Sequence, residues 1–120
     1  MSVDWKPGMF VHLDLTVPDA PAVRDFYADV IGWTPEPLGE DWMMLAADGT
    51  PAAGICHARG ENADLPPQWL AYVAVEDLDA SLAAVRNRGG EVVAGPKGEG
   101  TGAYAVVRDP AGAVLALILR

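Results

Sequence analysis

Cysteine and basic residues are scarce in this 120-residue sequence, and each shortage excludes a class of protein. Cys56 is the only cysteine, so no disulfide can form within the chain, and a reducing compartment is expected. Eight Lys and Arg stand against 17 Asp and Glu, giving a net charge of −9. Because phosphate backbones are bound by Lys and Arg, nucleic acid is not an expected partner. The acidity favours a cationic small molecule, or simply keeps the protein soluble.

Long apolar runs are also missing. None reaches the roughly 18 residues that a membrane-spanning helix requires, and the first residues lack the apolar core of a signal peptide. The sequence therefore predicts a cytoplasmic protein without membrane contact. Its length and its 51% apolar content predict a single domain, residues 1–120, with its own core.

A weak internal repeat is the main feature that the sequence does contain. Three landmark residues recur at a spacing of 58 residues: Val17 and Val75, Asp19 and Asp77, Gly32 and Gly90. In each half, a strand with alternating apolar residues precedes a helix that begins near an Asp and ends near a Gly. Three short extended segments follow each helix. The sequence therefore predicts an α+β fold of two tandem βαβββ modules.

The module boundaries follow from this repeat. The first module is predicted at about 9–60 and the second at about 68–120, joined by a linker at about 61–67 that contains two prolines. The helix of each module covers one face of its sheet. The other faces are predicted to form paired curved mixed sheets around a cleft, which is where a ligand would bind. The first helix should face the core through an apolar stripe of Val23, Phe26, Tyr27, Val30 and Ile31.

The order of several motifs resembles the glyoxalase/bleomycin resistance protein/dioxygenase (vicinal oxygen chelate) superfamily. The opening segment His12–Asp19, followed by Phe26–Trp33, is similar to the first strand and the helix end of that family. Four further motifs resemble its second module: Tyr72–Asp77, Gly89-Gly90, Gly95-Pro96 and Asp109–Gly112. The resemblance extends from about Phe10 to Leu119 and depends on order and spacing rather than on any single motif.

The resemblance implies a divalent metal held between the modules, where it acts as a Lewis acid toward two substrate oxygens. Carried onto this sequence, the ligand positions are His12, Leu70 and Ala116, with His57 as the candidate in the fourth strand. Leu70 and Ala116 cannot coordinate a metal, so at most two positions offer ligand atoms, fewer than the three of a typical catalytic site. Asp14, on the face of His12, could supplement them. We therefore predict no metal. The alternative is Zn, Ni, Mn or Fe bound by His12 and His57.

Aromatic side chains are the other candidates for the cleft, because a flat or cationic organic ligand binds by stacking and cation–π contacts. The predicted ligand-binding residues are His12, Asp14, Trp42, Met44, Leu70, Tyr72, Tyr104 and Ala116. Ordinary packing between modules explains the same aromatic residues equally well. Trp33 and Trp69 are assigned to the core, Cys56 is interpreted as a small buried apolar residue, and Gly98–Gly102 as a flap over the cleft.

Three functions follow from these observations, and no catalytic residue is assigned. The first is a metal-free protein that binds a small molecule, such as a cationic or aromatic antibiotic, similar to the resistance proteins of the superfamily. The second is a divalent-metal-dependent lyase, isomerase or dioxygenase of the same fold. The third is an interaction domain without a ligand. A homodimer is also expected, because both sheets need extensive cover.

Overall fold

The computed structural model describes residues 5–120 of the chain. Within this range the chain forms eight strands, two α-helices and one short 3₁₀ helix (Gly60–Asn62). The strands and α-helices are β1 (Phe10–Val17), α1 (Ala20–Ile31), β2 (Thr34–Leu38), β3 (Asp41–Leu45), β4 (Pro51–His57), β5 (Trp69–Val75), α2 (Leu78–Asn87), β6 (Glu91–Lys97), β7 (Tyr104–Arg108) and β8 (Val114–Leu119). This order confirms the α+β class and the repeated βαβββ module. Neither described α-helix is long and apolar enough to span a membrane.

Both helices begin where the repeat predicts. The Asp19 carboxylate accepts a hydrogen bond from the backbone N–H of Ala22, and the Asp77 carboxylate accepts one from that of Ala80. Each Asp therefore pairs a backbone N–H that the first helical turn leaves without an intrahelical partner. Two of the three repeated pairs therefore have equivalent structural roles. Val17 and Val75 each end a strand, and Asp19 and Asp77 each cap a helix.

The third landmark pair is not equivalent. Gly32 ends α1 in the left-handed conformation with φ +88°, but the corresponding residue after α2 is Gly89, with φ +85°. Gly90 instead packs against backbone, because a Cβ added to it would lie 2.7 Å from the carbonyl oxygen of Arg108. Gly32 and Gly90 therefore match in sequence for different physical reasons.

The chain divides into two compact units whose boundaries lie inside β1 and β5. The N-terminal unit is Leu13–Trp69, and the C-terminal unit combines Leu70–Arg120 with the described residues up to His12. The early residues join the later unit because the N–H of Gly8 donates to Ala74 and the N–H of Ala74 donates to Met9.

In the N-terminal unit, four strands form a mixed sheet in the order β2-β3-β4-β1. β1 and β4 are parallel, while the other two pairs are antiparallel. α1 packs on one face of this sheet, where the buried cluster consists of Leu15, Val17, Ala20, Met44 and Ile55. Trp33 and Trp69 pack against this cluster, as expected for core residues.

The predicted apolar stripe of α1 is only partly correct. Val23 and Tyr27 pack against the core, but the side chains of Phe26, Val30 and Ile31 are 57%, 63% and 51% exposed. Within this unit α1 contacts a sheet on one side only, and the line through Val23 and Tyr27 faces it. The helix therefore presents three of the five residues of this stripe outward.

The C-terminal unit repeats the arrangement with the strand order β5-β8-β7-β6. β5 and β8 are parallel and the other pairs are antiparallel. α2 covers one face, and the buried cluster beneath it consists of Leu78, Leu82, Ala103, Ala105, Val107 and Leu117. The strand residues in this cluster have odd numbers, so the even-numbered residues of β7 and β8 point to the opposite face.

Candidate functional site

The sheet face of the C-terminal unit that lies opposite α2 carries most of the predicted ligand-binding residues, and we call it the tyrosine face. Neighbouring strands place its residues side by side in two rows. One row consists of Tyr72, Ala116 and Val106, on β5, β8 and β7. The next row consists of Ala74, Ile118 and Tyr104 on the same three strands. Residues paired across strands point to the same side of a sheet, so these rows form one continuous surface.

Three rings form a connected line on this face. The ring centroids of His12 and Tyr72 are 5.5 Å apart with an interplanar angle of 54°, and those of Tyr72 and Tyr104 are 5.7 Å apart at 60°. Both separations are in the range of favourable aromatic contacts. His12 and Tyr104, at the two ends of the line, are half-buried, while Tyr72 between them is buried. The accessible parts of the line are therefore its two ends.

The other predicted residues of this face form its base. Leu70, Tyr72 and Ala116 have exposed fractions of 3%, 5% and 0%. They offer hydrocarbon and ring surface beneath the half-buried side chains and no oxygen or nitrogen atom other than the Tyr72 hydroxyl. Asp14 belongs to the N-terminal unit, where it is half-buried on β1 beside Gly54 of β4.

Trp42 and Met44 point to the α1 side of their sheet, whereas residues of the predicted cleft would point to the opposite side. Both pack with the cluster under α1, and Met44 is fully buried. The register explains this, because Trp42 pairs with Ile55, and Ile55 is part of the same cluster. Met43 alternates with them and points to the face opposite α1. Trp42 and Met44 are therefore core residues of the N-terminal unit.

His57 is held by an aspartate that sequence reasoning did not identify. The Oδ1 atom of Asp41 lies 3.0 Å from the His57 Nδ1 and also accepts the backbone N–H of His57 at 3.0 Å. The Trp42 ring is 5.3 Å from the imidazole, and the Arg24 guanidinium lies 4.6 Å above that indole. These contacts orient His57 among residues on the α1 side. Asp41 lies beside His57 because β3 pairs with β4, and this pairing is the only feature that could have identified it.

The donors needed for a family-type metal centre do not come together in the part of the chain that the structure describes. No group of three His, Cys, Asp or Glu side chains among residues 5–120 is placed to hold an ion. Leu70 and Ala116 supply hydrocarbon at two of the positions that the resemblance implies. His12 and His57 belong to different units, and each has ring or carboxylate partners within its own unit. The donor set present does not fit a three-ligand centre.

The Gly98–Gly102 loop lines a groove next to the first turn of α2. This groove has a volume of about 380 Å³, and its wall carries four carboxylates, from Glu76, Asp77, Asp79 and Glu99. Gly98 and Gly100 both have positive φ angles, which glycine adopts without strain. Within the C-terminal unit, the loop that was predicted as a flap therefore borders the helix.

The Cys56 thiol is held in its neutral form. Partial burial and, secondly, the nearby carboxylates of Asp14 and Asp41 raise its pKa to about 12, from a usual value of 9.0. At pH 8 its thiolate fraction is therefore about a thousandfold below that of an ordinary thiol. The raised pKa also means that stability falls as the pH rises from about 9 to about 12, because only the unfolded chain then loses the proton.

We expect a disulfide reagent such as DTNB to modify Cys56 at least about 100-fold more slowly in the folded protein than in urea, at pH 8. The rate is measured by absorbance in both states. Comparable rates would show that the thiol is neither buried nor influenced by the two carboxylates.

The chain belongs to the Glyoxalase/Bleomycin resistance protein/Dioxygenase superfamily, whose model matches residues 9–117.

Two curated relatives and one solved structure illustrate this membership. The chain is 31% identical to the anthracycline biosynthesis protein DnrV of Streptomyces peucetius over 94% of its own length, and 31% identical to the putative glyoxylase CFP32 of Mycobacterium tuberculosis over 95%. It spans 47% and 46% of these proteins, about half of their length. The fold is similar to that of the Mn(II)-bound glyoxalase from Novosphingobium aromaticivorans, with a TM-score of 0.56, 21% identity and coverage of 95% of this chain and 39% of that one.

Proposed function

We propose that this protein binds a planar aromatic small molecule without a metal ion. The observation that carries the proposal is the line of His12, Tyr72 and Tyr104 on the tyrosine face, next to hydrocarbon at Leu70 and Ala116. A flat ring system gains buried area and ring–ring contacts at such a surface. Function as a metal-dependent lyase, isomerase or dioxygenase would require oxygen or nitrogen donors where Leu70 and Ala116 stand.

The name of one relative supports the choice of ligand class. DnrV is named an anthracycline biosynthesis protein. Anthracyclines are a class of compounds built on a planar polycyclic aromatic ring system. The match covers about half of that relative, so its name supports only the class of ligand and not a particular activity. The proposal includes binding of an aromatic antibiotic and resistance caused by its sequestration. It also includes a cytoplasmic location, which agrees with the single, unpaired cysteine.

Isothermal titration with 1,4-dihydroxyanthraquinone, in the presence and absence of EDTA, tests the proposal. We expect binding with the same dissociation constant in both conditions, because no protein-bound ion takes part. Loss of binding in EDTA, together with restoration by Zn, Ni, Mn or Fe, would favour the metal-dependent enzyme. The metal content of untagged protein provides a second measurement, and one ion per chain held by His12 and His57 would overturn the proposal.

We further propose that the protein is a homodimer. The outward residues of α1, Phe26, Val30 and Ile31, are exposed by half or more, and a second copy of the chain would bury them. The curated relatives are about twice as long, so a second copy would make up a comparable mass.

Light scattering should therefore give about twice the mass of the 12.6 kDa chain. The double substitution Phe26→Ser and Val30→Ser should return the mass to that of one chain while the circular dichroism spectrum is kept. The double substitution Arg86→Ser and Ala83→Ser, on exposed positions of α2, serves as the control. A wild-type mass of one chain at micromolar concentration would contradict the dimer.

A further inference from the structure

We infer that, in the homodimer, an apolar ridge on α1 of one copy docks into a groove beside α2 of the other copy. This inference rests on the proposed dimer, because it names the surface that covers Phe26 and Val30. These two residues form the α1 ridge, since they lie four positions apart and therefore on one side of the helix. Their side chains are 57% and 63% exposed, so the described residues of the same chain leave them largely uncovered.

The groove lies in the C-terminal unit, between α2, β5 and the segment that precedes β1, and we call it the β5 groove. It has a volume of about 460 Å³ and a mostly apolar lining that includes Pro7, Gly8, Val73, Val75, Ala80 and Ala84. The apolar residues that α2 contributes are small, so the groove is a recess along the helix. A recess of this kind buries the most apolar area when projecting apolar side chains enter it.

The internal repeat makes the two surfaces complementary in size. Ala84 follows Phe26 by 58 residues, the spacing of the other repeated landmarks, so these two residues occupy equivalent helix positions. The position carries a phenyl ring in α1 and only a methyl group in α2. The two ridge residues are four positions apart, as are Ala80 and Ala84, so each pair spans about 6 Å along its helix. The ridge of one copy therefore matches the recess of another in spacing.

The charges beside the two surfaces have opposite signs. Asp29 is exposed in the last turn of α1, where no basic residue is present and where the helix dipole disfavours a carboxylate. Arg88 is exposed at the end of α2, four residues after Ala84. Within residues 5–120, neither Asp29 nor Arg88 has an ion-pair partner. An Arg88 side chain from a second copy would pair with Asp29 and also stabilise the carbonyl end of α1.

The charged residues at the other end of the β5 groove are already engaged within the chain. The Asp77 carboxylate accepts the backbone N–H of Ala80, and the Glu76 carboxylate lies 4.0 Å from the Arg120 guanidinium. The unpaired charge beside the groove is therefore the positive one at its Arg88 end. This asymmetry favours a ridge whose own charge is negative, and the chain supplies such a ridge itself.

A second copy of the chain thus fits both surfaces. In a dimer with twofold symmetry the contact occurs twice, since each copy offers one ridge and one groove. The alternative arrangement, in which the two α1 ridges pack on each other, would leave the β5 groove open. The two arrangements differ in whether residues of α2 affect dimerisation.

Substitutions on α2 distinguish these arrangements when the dimer dissociation constant is measured by sedimentation equilibrium. Ala84→Arg fills the groove and should raise the constant at least about 100-fold, with an unchanged circular dichroism spectrum because Ala84 is exposed. Ala83→Arg is the matched control, the same exposed change about 100° around the helix, and should leave the constant unchanged. If Ala84→Arg dimerises like the wild type, the groove is not the docking surface, and only this inference fails.

Charge reversal provides a second measurement that a folding defect does not mimic. Arg88→Asp alone should raise the dissociation constant about tenfold at low salt, because it places like charges together. Adding Asp29→Arg in the same chain should restore most of the wild-type affinity, since the pair is rebuilt with exchanged signs. A double variant as weak as Arg88→Asp would show that the two residues do not meet, and would overturn the inference. A wild-type mass of one chain would instead contradict the proposed dimer itself.

Discussion

Replacing Gly90 with alanine is expected to lower the free energy of unfolding by about 3 kcal/mol. An added Cβ would lie 2.7 Å from the carbonyl oxygen of Arg108 and 3.1 Å from that of Val85. Both atoms are backbone, so no side-chain rotation relieves the contact. The start of β6 would have to move away from β7, which would disturb the ladder that supports the tyrosine face. Urea denaturation monitored by tryptophan fluorescence measures the change.

Gly89→Ala, one residue earlier, is the matched control for this substitution. A Cβ there meets no atom within 4 Å, and only the positive φ of 85° opposes it. Holding alanine in that conformation costs about 1 kcal/mol. If Gly89→Ala destabilised the protein more than Gly90→Ala, the close approach of the helix end to β7 would be contradicted.

The second large effect is expected at the accessible end of the aromatic line. Tyr104→Leu should weaken binding of 1,4-dihydroxyanthraquinone about tenfold, because it removes a ring contact and a hydroxyl while keeping apolar volume. His12→Leu, at the other accessible end, should have a similar effect. Tyr72 is less suitable for this test, because it is buried and its replacement would also disturb the fold.

Leu38→Ala is the control for the aromatic substitutions. It removes an exposed apolar side chain from β2, in the N-terminal unit, and should leave the dissociation constant unchanged. Binding that survived both Tyr104→Leu and His12→Leu, in protein with a wild-type circular dichroism spectrum, would place the ligand elsewhere.

The fold was predictable because its signals are local. Asp19 and Asp77 cap helices through bonds to residues three positions away, and the alternation within β5 and β8 needs no knowledge of neighbouring strands. The repeat spacing then gave the module order. The stripe on α1 was less predictable, since Phe26 and Val30 have helical spacing but no sheet to face within their unit. Periodicity identifies apolar residues, whereas burial depends on what the rest of the chain supplies.

The site was predictable only where strands are regular. Tyr72, Tyr104 and Ala116 were predicted to bind a ligand, and the pairing of β5, β8 and β7 brings them to one face. Their role in binding stays a prediction. Trp42 and Met44 were assigned to the cleft from their residue type, and the register of β3 with β4 assigns them to the core instead. Asp41 was missed because its contact with His57 depends on the pairing of β3 with β4 across the sheet.

The distinction between a metal-free site and a metal centre depends on two positions, Leu70 and Ala116, which carry hydrocarbon side chains. Leu70 and Ala116 are buried and contribute to the base of the tyrosine face, so their side chains are part of the packing of the unit. Replacing them with metal ligands would bury charged groups beside Tyr72, which is costly without a bound ion. The site therefore favours a ligand recognised through its rings.

The most direct test is an amide-resolved NMR titration with 1,4-dihydroxyanthraquinone in the presence of EDTA. We expect the largest shift changes at residues 12, 72 and 104, and we expect them to saturate together. Shift changes confined to the groove between α2 and the Gly98–Gly102 loop, or binding that appears only after a divalent metal is added, would contradict the proposed site.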